Sequence, residues 1–143
     1  MSSNPNGYKF VALVNKNLEP GVALNALGHA ALGLGATLAA SHLPEMQLLD
    51  FRDRDGQSHP SISALSLIVL RGTSGNIRAL RKEAKARGLP HVDFTTTMTV
   101  DSYAEQLERT AQTSEEDLEY SVIVLIGESA VLTSLTKKYS LYR

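Results

Sequence analysis

The sequence predicts an α/β domain: a mixed, largely parallel sheet of four to five strands, sandwiched as three α/β/α layers by helices on both faces. Three observations predict it. Short apolar runs of strand-forming residues alternate with stretches of helical periodicity along the chain. One of those runs, Leu65 to Leu70, is nearly continuous, as a strand covered on both faces requires. The stretch from Val22 to Ala40 is apolar almost all round, the pattern of a buried helix. With 143 residues, 43% of them hydrophobic, the chain suits one domain over residues 1–143 around a single core.

Taken in order, residues 1–7 are a polar lead-in, and Tyr8 to Val14 is the first strand. Glu19-Pro20-Gly21 marks a turn before the helix of residues 22–40, in which Leu24, Leu27, Ala31, Leu34 and Leu38 recur at helical spacing. Gly28 and Ala31 are expected to pack that helix on the sheet. Pro44 closes it, because the residue before a proline is pushed out of helical geometry. Gln47 to Arg52 reads as a strand and Asp53-Arg54-Asp55-Gly56 as a turn, so an antiparallel hairpin is expected within residues 47–71.

Gly72-Thr73-Ser74 caps a second helix, Gly75 to Arg87, with Ile77, Leu80 and Ala84 inward and Arg78, Arg81, Lys82 and Lys85 outward. Gly88 stops it and Pro90 follows. His91 to Phe94 is a short strand. Ser102 and Glu105 have capping-box spacing for a third helix, whose Tyr103, Leu107 and Ala111 form a thin apolar stripe. An acidic connector, Thr113 to Glu119, leads to the last strand, Ser121 to Ile126. Gly127 stops that strand, and a final helix runs from Glu128 to Tyr139.

Composition removes several functions. There is no cysteine, hence no disulfide, thiolate metal site or cysteine nucleophile. Four scattered histidines match no metal template; His59 beside Asp53 and Asp55 has the wrong spacing, so no metal and no cofactor is expected. Charge is balanced, 14 Lys+Arg against 15 Asp+Glu, which argues against a broad polyanion-binding surface. The opening residues lack the basic and apolar regions of a signal peptide. Asn25, His29 and several glycines weaken the apolar helix as a membrane span. A soluble, cytoplasmic protein without a membrane partner is expected. The basic face of the second helix leaves RNA open as a partner, beside a small molecule or a second copy of the chain.

Open α/β sheets take ligands at the carboxyl ends of their strands. Here those ends carry Lys16, Asp93 and Thr97, while Asn25 and His29 lie four apart on one face of the first helix. These five are the candidate binding residues, expected to line one depression with Lys16 at its rim. His29 and Asp93 are the catalytic candidates, a general base and the carboxylate that orients it. The alternative makes His29 a core histidine bonded to backbone or to Asn25. Lys16 is either an anion-binding point charge or a solvated loop lysine. Gly33-Leu34-Gly35-Ala36 is no phosphate loop, since it lies inside a helix.

The order of elements resembles the type II peptidyl-tRNA hydrolases. The similarity rests on Gly21 to Ala31 with its His29-Ala30 pair, on Leu65 to Leu70, on Arg87-Gly88-Leu89, on Asp93 to Thr97, on Ile126-Gly127 and on Tyr139 to Tyr142. The resemblance implies that family's fold, with Asp93 and Thr97 where its aspartate and threonine sit. It also implies what is missing. The family's two turn lysines and its glutamine three residues before the histidine are here Pro20, Val22 and Ala26. The segment 47–63 is unlike the hydrolases as well. The start Val14-Asn15-Lys16-x-Leu18-x-Pro20-Gly21-x-Ala23-Leu24-Asn25-Ala26 looks like that of an uncharacterised bacterial family sharing the hydrolase fold.

Three functions are therefore expected in order: a non-hydrolytic ligand- or partner-binding protein with a polar pocket, a divergent hydrolase of peptidyl-tRNA or a related ester or amide, and an oligomeric interaction module such as a homodimer.

Overall fold

The computed structural model describes residues 7–41, 46 and 48–143. Seven strands and four α-helices follow one another among them: β1 (Tyr8–Asn15), α1 (Pro20–Ser41), β2 (Leu48–Arg52), β3 (Ser58–Ser63), β4 (Leu67–Gly72), α2 (Ser74–Ala86), β5 (His91–Thr95), α3 (Tyr103–Ala111), β6 (Tyr120–Glu128), α4 (Ser129–Thr136) and β7 (Ser140–Leu141). The end of the first helix expected at Pro44, and Gln47 of the second strand, lie outside the described residues.

Five strands form the main sheet in the order β5-β6-β1-β4-β7, and β2 and β3 make a separate hairpin. The sheet is mixed, but it is not largely parallel. Only β1 and β4 pair in parallel; β6 runs antiparallel to both β1 and β5, and β7 antiparallel to β4. The physical reason is the connection after β5. Of the helices, α1 and α2 cross the sheet and return the chain parallel, as crossover connections do. By contrast α3 packs on the short 3-10 turn at Thr96–Met98, and the chain folds back beside β5 as an enlarged hairpin.

One face is closed by α2 and α4. Ile77, Leu80 and Ala84 of α2 and Leu132 of α4 bury against Val11, Leu13, Ile123 and Leu125. The capping residue of α2 is Thr73, whose hydroxyl accepts from the Asn76 amide while the Asn76 side chain accepts from the Thr73 amide. Gly88, at φ 65°, ends the helix in the left-handed region that glycine occupies without penalty.

On the other face, beside the β2–β3 hairpin, lies only α1 of the described helices. Proline at its first position has its φ preset and loses no needed N–H. Its buried stripe is Ala23, Ala26, Ala30, Leu34 and Leu38, lying over Val122, Val124 and Ile126. This corrects two expectations. Gly28 is exposed and Ala31 only half-buried, and the helix is not buried all round, for Leu24 stays 65% and Leu32 76% exposed. A helix with no polar face offers periodicity no way to choose its inner side; the alanines win because they let the helix approach the sheet. By length and composition α1 would also pass as a membrane span, with 28% of that window buried. Its small-residue stripe packs on the sheet, as a core helix's does.

Two further differences are local. Gly127 lies inside β6 and is buried there, and Tyr103 and Leu107 of α3 are exposed rather than packed inward.

Candidate functional site

The carboxyl ends of β1, β4 and β5 and the start of β6 meet at one end of the sheet. Asn15 is buried there; its amide Nδ2 donates to the Tyr120 carbonyl at 2.9 Å and its Oδ1 accepts from the Asn17 amide at 2.9 Å. Beside it the exposed Lys16 donates its backbone N–H to the Gly72 carbonyl at 2.8 Å. Thr97 is buried too, its hydroxyl 2.7 Å from that of Thr95 and 2.8 Å from that of Thr110.

Asn25 and His29 are both exposed on α1, and His29 lies on the flank turned toward β5. The His29 ring lies on the ring of Phe94, centroids 5.5 Å apart and planes 17° from parallel. Phe94 therefore faces α1, and Asp93, its neighbour in β5, faces the opposite side of the sheet. There Arg81 Nε donates to Asp93 Oδ1 at 3.1 Å. So the expected pairing of His29 with Asp93 does not form: strand alternation sends them to opposite faces, and the carboxylate is taken by α2. Of four hollows among the described residues, none is lined by Asn25, His29, Asp93, Thr97 or Lys16. The signal was present in the sequence as the alternation of Val92 and Phe94 with Asp93 and Thr95.

The basic face of α2 is also partly consumed. Arg78 Nε donates to Glu115 Oε2 at 3.1 Å, and its guanidinium lies 5.2 Å from the centre of the Tyr120 ring. Tyr120 Oη donates to the same carboxylate oxygen at 2.7 Å. Burial, and then this bond, push the Tyr120 hydroxyl up to about 12. The bond from Tyr120, with Arg78 adding to it, holds Glu115 below the usual carboxylate range. These groups fasten the connector to α2 and present no free acid or base.

A second polar cluster holds the segment after β5. Val100 and Asp101 both sit at φ 65°, a left-handed conformation that costs a β-branched residue on the order of 1–3 kcal/mol. Arg109 of α3 donates to the carbonyls of Thr97, Thr99 and Val100 and, at 2.9 Å, to the Asp101 carboxylate. Sequence reasoning gave no site role to Asn15, Arg109 or Thr110: Asn15 bonds a carbonyl 105 residues away, and Arg109 and Thr110 reach back from α3 to the turn after β5.

What the fold does enclose is apolar. Between α1, the sheet and the β2–β3 hairpin lies a chamber of about 380 Å³. Phe10, Val124 and Leu65 floor it, Ala31, Leu34 and Gly35 form its helical wall, and Met46, Ile62, Ser63 and Leu67 the wall opposite. Among the described residues Ser63 is its one polar side chain, and that hydroxyl already donates to the Met46 carbonyl and accepts from the Leu65 amide. Ile62 and Leu67, at the mouth, remain 62% and 47% exposed. A cleft of about 420 Å³ lies elsewhere, between the end of α2 and β6, and sets Arg87 near Glu128 on a half-polar surface.

A family model described as a protein of unknown function matches residues 8–143. Among solved structures, a protein of unknown function from Agrobacterium tumefaciens str. C58 is similar over 96% of this chain and 98% of its own, at a TM-score of 0.79 and 14% sequence identity. That likeness is one of fold. No curated protein matches the chain.

Proposed function

We propose that this chain, which belongs to the DUF2000 family of proteins of unknown function, is a non-hydrolytic binding protein for a small, neutral, largely hydrocarbon molecule. One observation carries the proposal: the chamber beside α1 is lined by apolar side chains and by a single, already bonded hydroxyl. Its volume of about 380 Å³ falls at the lower end of small-molecule sites, typically about 300–1,000 Å³. Among the described residues no charged group lines it, so recognition rests on shape and on removal of apolar surface from water.

Two observations weigh against hydrolysis. His29 and Asp93 lie on opposite faces of the sheet, so Asp93 does not orient the histidine. The resemblance to type II peptidyl-tRNA hydrolases, if it reflects descent, also leaves Pro20, Val22 and Ala26 where that family carries its polar groups. A missing fixed charge at such a site costs several kcal/mol of transition-state stabilisation.

The test is titration with the apolar fluorophore N-phenyl-1-naphthylamine. Saturable binding is expected, weakened at least about tenfold by Ala31→Trp, which fills the chamber, and unchanged by His29→Ala. Binding that ignores Ala31→Trp removes the chamber from the reading. Turnover of peptidyl-tRNA abolished by His29→Ala would replace binding by hydrolysis.

A further inference from the structure

We infer that the outer face of α1 is the contact surface for a second copy of this chain, crossing its counterpart antiparallel about a twofold axis at Gly28. The inference does not depend on the chamber's ligand. It begins with charge. None of the chain's 14 Lys+Arg and 15 Asp+Glu residues lies in Pro20–Ser41. Solvent-facing helix surfaces normally carry charge, as α2 does with Lys82 and Lys85. On α1 the exposed row at intervals of four is Pro20, Leu24, Gly28, Leu32, Ala36 and Ala40.

That row suits self-association better than any other partner. A surface without charge cannot select a partner by opposite charge. In a twofold contact each residue near the axis meets its own kind, so a charge there would face a like charge, and a neutral face removes that repulsion. A lipid surface would call for Lys or Arg along the polar side of the helix, and α1 has none.

The row is also symmetric about its midpoint. Leu24 and Leu32, 65% and 76% exposed, flank Gly28 at equal distance on one ridge. A Cβ at Gly28 would meet nothing within 4 Å, so the backbone is bare there. Two such ridges crossing at the glycine bring the helices close at the axis and seat Leu24 of one copy beside Leu32 of the other, twice over. Ridges at intervals of four pack at about −50° with axes about 8–10 Å apart. The helix, 22 residues or about 33 Å long, supplies only part of the ~800 Å² per partner that a stable dimer buries. The rest is at hand in Ile62 and Leu67, exposed at the chamber mouth next to Ala31 and Gly35, and in Leu49, the exposed cross-strand neighbour of Ile62.

The experiment uses the full chain. Light scattering behind size exclusion, at about 10–100 µM, is expected to give twice the 15.5 kDa chain mass, and Leu32→Glu to give the single mass with unchanged circular dichroism. Because the chain has no cysteine, Gly28→Cys places one thiol per copy at the axis, and mild oxidation is expected to yield a covalent dimer. Ala79→Cys, exposed on α2, serves as the control that stays uncrosslinked. A wild-type monomer, a dimer that survives Leu32→Glu, or equal cross-linking at both positions would overturn the inference. So would a monomer that sediments with phospholipid vesicles. Fluorophore binding that persists in the Leu32→Glu variant separates this outcome from the fate of the chamber.

Discussion

The two faces of the sheet are finished differently. Under α2 and α4 the apolar layer ends in side chains that turn to ion pairs: Arg78 to Glu115 and Arg81 to Asp93. Under α1 it ends in Leu24, Leu32, Ile62 and Leu67, which remain exposed, and in a chamber. The same strands supply both layers, so the contrast comes from the helices. An amphipathic helix completes a core within one chain, whereas one with no charged side leaves apolar surface to be covered by something else.

The contrast is broken most severely at the closed face. Leu132→Ala, at a fully buried site, is expected to cost about 2–5 kcal/mol in urea unfolding. Leu32→Ala, followed at a concentration low enough to keep single chains, should stay within about 0.5 kcal/mol of the parent. Equal losses at the two positions would erase the distinction between the faces.

The next effect in size is at Arg81. Its side chain and that of Asp93 are 25% and 19% exposed, and Arg81→Ala leaves the carboxylate half-buried without its cation. A loss of about 1–2 kcal/mol is expected, with His29→Ala costing less because it removes only an exposed stack on Phe94.

Glycines give a change of about 1 kcal/mol with opposite signs on the two faces. A Cβ on Gly127 would come within 3.2 Å of Leu132 and of Leu89, so Gly127→Ala should destabilise. Gly28→Ala meets open space in mid-helix and should stabilise by about 0.5–1 kcal/mol, measured on the Leu32→Glu background so that pairing does not contribute.

The smallest effect depends on pH. The Glu115 carboxyl is held below its ordinary 4.5 in the folded chain. Its contribution is therefore fully present above the unfolded value and fades as acid takes the pH down through the folded one. Faster hydrogen exchange over residues 113–119 is expected as pH falls in that range, after correction for intrinsic rates. Glu115→Gln should remove most of that acid response; an identical response in the variant would place its origin elsewhere.

Which parts of this were legible in the sequence follows from the same contrast. In α2, Ile77, Leu80 and Ala84 stand out against charged neighbours, and their inward direction could be read directly. In α1 almost every choice of face is apolar, so the alanine stripe that packs was indistinguishable from the leucines that do not. The antiparallel course of β6 was hidden because α3 has a proper cap at Ser102 and reads like a crossover helix, although it buries none of its residues. The pairing of His29 with Asp93 missed by a single residue of register: Phe94, not Asp93, is the strand neighbour that meets His29. The chamber had no sequence signal, since an apolar lining looks like core until something is seen to be absent from its centre.

The bond from Asn15 to the Tyr120 carbonyl spans 105 residues and fastens the central strand to the one that covers its flank. It also sets a timetable for synthesis. The apolar strand β1 leaves the ribosome before either neighbour, pairs on one edge when β4 appears, and keeps its other edge open until β6 follows about 105 residues after it. Pairings this distant are slow to close, and an open apolar edge is the usual seed of aggregation. A nascent chain halted before residue 120 should accordingly be captured by chaperones or lost to aggregates, whereas one extended past β6 closes its sheet.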